Sequence, residues 1–184
     1  MSNINALNAP IITPFQSNAL VFTDNIGNLI TYPSYAFHAA LAAALLNATG
    51  DSTLVTVICA NVSSPFYNTN SAYNVLTGIF TAPIAGYYNF GGTIFFGNLA
   101  SPGNQYLFSF LTSGGTRYML HQGSPGNERS TASQQFTRTG NKRILLAQGE
   151  TIRMQAEVDG TTKTVSINAG LQPTAFWGSL AQPA

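Results

Sequence analysis

The chain has 184 residues, 45% of them hydrophobic and only 7% charged, with a net charge of +1. That apolar content excludes disorder driven by charge, seven Lys/Arg are too few for polycationic nucleic-acid binding, and no apolar run reaches the roughly 18 residues of a membrane helix. No nucleic-acid or membrane partner is therefore expected, and the single Cys59 excludes an internal disulfide framework.

In chain order, residues 1–18 hold Pro10 and Pro14 with little periodicity and read as an extended arm. The opening MSNINALNAP has no basic stretch followed by an apolar one, so no signal peptide is expected and the protein is expected to fold in a cytoplasm. Residues 19–32 read as a short hairpin around Asp24-Asn25-Ile26-Gly27-Asn28. This divides the chain into an arm and hairpin for docking, 1–33, and a head, 34–184. Residues 35–46, YAFHAALAAALL, are rich enough in alanine for a helix, yet their bulky side chains fall on odd positions: Tyr35, Phe37, Leu41 and Leu45. That period of two favours a strand with one bulky and one small face.

From residue 53 onward short strand segments alternate with turn signals: 54–60, 78–83, 86–96, 105–112, 117–123, the polar 132–139, 142–147, 150–158, 162–168 and 176–180. The clearest is 150–158, where Ile152, Met154, Ala156 and Val158 share one face and Arg153, Gln155 and Glu157 the other. About ten closely spaced strands predict an all-β sandwich or barrel.

The segment YNVLTGIFTAPIAGYYNF (73–90), preceded by Asn68, sets Asn68, Tyr73, Phe80, Gly86, Tyr88 and Phe90 at fixed spacings. LLAQGETIRMQ (145–155) and AFWGSL (175–180), with Phe176 and Gly178, continue the pattern. Over about residues 35–184 the chain resembles the globular-head domain of complement C1q, in the wider C1q and tumour-necrosis-factor superfamily. It departs from that pattern at Val62, Gly92 and Glu150. Such heads also occur in bacterial and viral proteins. The resemblance implies a ten-stranded jelly roll that assembles as a compact homotrimer, with the motif residues packing the core. The small side chains of Ala36, Ala40, Ala42 and Ala44 are candidates for the trimer contact; packing inside one subunit is the other reading.

Catalytic chemistry finds no support. There is no nucleophile elbow, zincin helix or phosphate loop. His38 and His121 lack metal-ligating neighbours at ligand spacing, and Cys59 lies in an apolar strand. Neither a metal, a cofactor nor an enzyme activity is expected. The best polar candidate is the segment Glu128–Arg143, where Arg129, Arg138, Lys142 and Arg143 would offer a ligand surface; a solvated strand face is the other reading. Tyr67, Tyr73 and Tyr106 are sugar-stacking candidates or core.

Residues 1–116 contain Asp24 and Asp51 and no base, whereas 117–184 carry all seven Lys/Arg and four acids. With little electrostatic protection against association, the charge-free part is expected to carry docking and subunit contact, and the late strands the open face. These features point to a trimeric knob on a phage or viral particle. It would decorate or cement the capsid or form a tail or fibre appendage, and a neighbouring virion protein would hold the arm. A glycan- or receptor-binding recognition head is the alternative.

Overall fold

A computed structural model describes residues 19–23, 27, 29–99, 105–128, 134–160, 162–170 and 173–184. The expected arm, 1–18, and Arg129 lie outside these. The chain divides into two units, Met1–Ser34 and Tyr35–Ala184. In the first, β1 (Ala19–Thr23) pairs antiparallel with β2 (Leu29–Pro33), Ala19 opposite Pro33 and Thr23 opposite Leu29, so the hairpin read from the turn residues forms.

In the second unit the strands are β3 (Ala36–Ala40), β4 (Leu45–Thr49), β5 (Val55–Thr56), β6 (Tyr67–Asn68), β7 (Tyr73–Asn74), β8 (Ile79–Thr81), β9 (Gly86–Gly97), β10 (Tyr106–Thr112), β11 (Arg117–Gly123), β12 (Phe136–Leu146), β13 (Thr151–Val158), β14 (Val165–Ile167) and β15 (Ala175–Pro183). A one-turn helix, α1 (Pro125–Glu128), precedes β12. Two antiparallel five-strand paths form the sandwich. One runs β6-β3-β15-β9-β12 and the other β7-β8-β13-β10-β11. β5 lies beside β13, and β14 carries β4 alongside the end of β9. Neighbours so far apart in sequence are the mark of a jelly roll rather than a meander, and the two paths hold ten strands, as the resemblance implies.

The core sits between the paths and is aromatic because each long strand alternates. In β9, Tyr88, Phe90, Ile94 and Phe96 are buried while Tyr87, Asn89, Thr93 and Phe95 face outward. Phe37 stacks on Tyr73 with centroids 4.5 Å apart and meets the edge of Phe176 at 4.9 Å; Phe80 meets Phe90 at 5.3 Å. Such ring pairs add about 0.5–1.5 kcal/mol each beyond their buried area. The motif residues Asn68, Tyr73, Phe80, Gly86, Tyr88, Phe90, Phe176 and Gly178 take structural places. The Asn68 amide donates to the Tyr73 carbonyl at 2.6 Å and accepts from the Tyr73 N–H at 3.3 Å, so one side chain stands in for a strand partner. Tyr73 Oη donates to the Cys59 carbonyl at 3.0 Å and accepts from its N–H at 3.2 Å. A Cβ on Gly178 would lie 2.5 Å from the Phe90 ring, and one on Gly86 2.6 Å from the Gln182 carbonyl oxygen.

Two expectations are corrected. Residues 35–46 do not form one strand: β3 stops at Ala40 and the chain bends through Ala42 and Ala43 into β4. The cause lies across the sheet. β15 begins at Ala175, opposite Ala40. The Leu41 N–H still finds the Thr174 carbonyl at 2.8 Å, but among the described residues no strand lies opposite beyond it. Conversely, the segments read separately as 132–139 and 142–147 are one strand, β12, paired with β9 from Phe136 to Leu146. The Gly140-Asn141 pair that reads as a turn is a pass-through, because the space a Gly140 side chain would take is filled by Leu120, 2.9 Å from that Cβ position.

Candidate functional site

The first path presents an outer face whose rows follow from the register. His38, Trp177, Gly91 and Asn141 lie side by side, with Tyr67 beyond His38. Ala40, Ala175, Thr93 and Thr139 form the next row, and Ala36, Ser179, Asn89 and Arg143 another. Arg143 is the one charge on these rows; it lies 4.7 Å over the Tyr87 ring and bonds Gln182 Oε1 at 2.9 Å. The glycine at 91 shapes the surface, since any side chain there would collide with the Trp177 indole resting on β9.

A groove of about 440 Å³ runs along this face between an aromatic wall of His38, Phe66 and Trp177 and a threonine side of Thr93, Thr137 and Thr139, with Pro173 and Ala175 completing it. The Thr93 and Thr139 hydroxyls share a hydrogen bond of 2.8 Å. The His38 ring meets Phe66 edge-on at 4.9 Å and Trp177 at 5.7 Å, and burial holds its pKa below the usual histidine value. The groove is apolar, uncharged and lined with hydroxyls, and it contains no nucleophile–base pair.

The opposite outer face is built differently. Thr151, Arg153, Gln155 and Glu157 of β13 point outward beside Leu107, Ser109 and Leu111 of β10, with Arg117 and Met119 on β11. Charge is present here on β13 and β11, the strands either side of β10.

The four bases proposed as one ligand surface are not one surface. Along β12, Arg138 and Lys142 alternate to the side opposite Arg143, and Arg129 lies outside the described residues. Arg138 is also occupied. It is ion-paired with Glu128, donates from Nε to Tyr106 Oη at 3.0 Å and from Nη1 to the Thr137 carbonyl at 2.8 Å, and lies 5.2 Å over the Phe136 ring. It fastens α1 to the end of the sandwich. Nor do the four alanines form a stripe. Ala40 is already buried within the chain and Ala36 half-buried, while Ala42 and Ala44 are exposed beyond β3, where the period of two no longer applies.

Of the sugar-stacking candidates, Tyr73 and Tyr106 are buried and Tyr67 is 47% exposed. His121 Nε2 lies 2.9 Å from the Thr139 carbonyl oxygen. Burial pushes the Cys59 thiol up to about 12, which leaves it an inert core group. Among the described residues no group of three or more His, Cys, Asp or Glu could hold a metal ion, and no helix is long and apolar enough to cross a membrane. Sequence reasoning missed Phe66 and the Trp177–Gly91 fit; a Gly-Gly pair inside a strand was the available signal of close approach.

No protein-family model matches the chain, and no curated protein matches it in sequence. Among solved structures it is similar to the globular domain of zebrafish complement 1qA protein, with a TM-score of 0.54 at 14% identity, over 82% of this chain and 99% of that one. At that identity the likeness carries the fold: the head is a C1q-like jelly roll.

Proposed function

From a C1q-like jelly roll, we propose that this chain is a non-enzymatic, homotrimeric head that serves as a structural virion protein. It decorates or cements a phage or viral capsid, or forms a tail or fibre appendage, and residues 1–33 dock it to a neighbouring virion protein. The observation that carries the trimer is the uncharged outer face around Trp177 and Thr93. Covering a face with one edge charge strips water from almost no ionised group, which removes the main cost of a buried interface. Copies related by a closed threefold ring bury such a face without leaving an open end, and the C1q likeness favours three. The virion assignment is supported by the neutral Thr- and Asn-rich composition and by a Pro-containing N-terminal segment.

Co-sedimentation with purified particles tests the placement. The full chain is expected to travel with particles at fixed copy number, and a chain lacking residues 1–33 to remain a trimer but lose attachment. A truncated head that still decorates particles fully overturns the docking role.

The groove supports a second reading, a recognition head for a neutral glycan or a receptor, because an aromatic wall facing threonine hydroxyls suits a sugar's apolar face and its hydroxyl groups. That reading predicts binding by the isolated head that Trp177→Ala weakens.

A further inference from the structure

On the charged outer face, Ser109 and Gln155 stand directly opposite each other on β10 and β13. Both point away from the aromatic core, yet they are only 0% and 3% exposed. Arg153 is two residues along β13 on the same side, half-buried, and its Nε is buried as well. Among the described residues, Ser109 Oγ, Gln155 Oε1 and Arg153 Nε have no hydrogen-bond partner. Buried polar atoms are almost always paired, and three orphans in one patch of two strands call for a common explanation.

The chemistry of the three narrows what they can share. Nε–H only donates, Oε1 only accepts, and the serine hydroxyl does either. A halide or carboxylate would meet the lone pairs of Oε1, and an ammonium would meet Nε–H. One hydroxyl oxygen satisfies all three: it accepts from Arg153, donates its single hydrogen to Gln155, and accepts from the Ser109 hydroxyl, whereas a water has a second hydrogen and can also donate to Ser109. The flanking outward residues Thr56, opposite Gln155, and Met119, opposite Ser109, bring no charge, and the next positions on this face hold one of each sign, Glu157 beyond Gln155 and Arg117 across Leu111 from Arg153.

We propose that Ser109, Arg153 and Gln155 form a binding point for a single hydroxyl oxygen. It is filled by water when the protein is free and by a hydroxyl of a neutral carbohydrate when the Arg153 side chain lifts. The site is independent of the trimer reading, because it lies on the face opposite the uncharged one.

High-resolution crystals of the full chain test this, one set untreated, one soaked in methyl α-D-glucopyranoside and one in sodium bromide. The expected result is one ordered oxygen about 3 Å from all three atoms, from solvent in the untreated crystal. An oxygen of the sugar at that position after soaking supports the whole proposal, and an unchanged water overturns the carbohydrate half while supporting a water site. In solution, the glucoside is expected to shift the Gln155 side-chain amide signals of the native chain but not those of Ser109→Ala if carbohydrate enters. Direct bonding among the three side chains with no oxygen between them, or a bromide peak at the position, overturns the proposal.

Discussion

Across β3, β15, β9 and β12 the outward rows carry Ala, Thr, Asn and aromatic side chains and one charge, Arg143, whereas across β13, β10 and β11 they carry Arg153, Glu157 and Arg117 beside Gln155 and Ser109. Both faces cover the same aromatic core, so burial of that core does not explain the difference. It also cuts across the asymmetry along the chain. All seven bases lie after residue 116, but β15 and the outward positions of β12 come from that stretch and belong to the neutral face. Charge here is sorted by face rather than by chain half, and the expectation that the late strands form the open side gives way to one of each kind.

The strongest way to break the comparison is to put a charge where there is none. Thr93→Glu places a carboxylate in the groove, and a buried, unpaired charge costs several kcal/mol. The substitution is expected to abolish self-association while circular dichroism still reports a folded sandwich. Thr81→Glu, on the other outer face, is expected to leave the solution mass unchanged. Equal loss of assembly in both variants would show that the faces are not distinct.

A smaller effect is expected from Gly91→Ala, which pushes the indole of Trp177, the only tryptophan, off β9. Overpacking of this kind costs about 1–3 kcal/mol. Its signature is a shifted tryptophan emission together with a lowered denaturation midpoint. A changed midpoint with unchanged emission would place the strain elsewhere.

The smallest effect is on pH dependence. Burial lowers the pKa of His38 in the folded chain below the ordinary histidine value of about 6.5. Above 6.5 both states are neutral there and nothing is lost. As pH falls below it the unfolded chain takes up the proton first, so stability declines until the folded pKa is reached. His38→Gln is expected to flatten that decline in urea midpoints between about pH 7 and pH 5; a native slope that survives the substitution would assign it to another group.

Much of the fold was legible because β-sheet physics acts locally. The alternation of Ile152, Met154, Ala156 and Val158 names its own buried face, and the spacing from Asn68 to Phe90 carried the jelly roll. What was not legible depends on partners distant in sequence. The end of β3 is set by where β15 begins, and Gly140-Asn141 is extended because Leu120 fills the space beside it. The proposed surface of Arg129, Arg138, Lys142 and Arg143 failed for a related reason. Reading a break at Gly140 hid the odd spacing that sends Arg138 and Arg143 to opposite sides of one strand, and the pairing of Arg138 with Glu128 depends on how α1 folds back.

The mass of the full chain in solution, by light scattering at micromolar concentration, bears most directly on the uncharged face as an assembly surface. The account predicts three times the 19.5 kDa of one chain; a stable monomer of 19.5 kDa would contradict it.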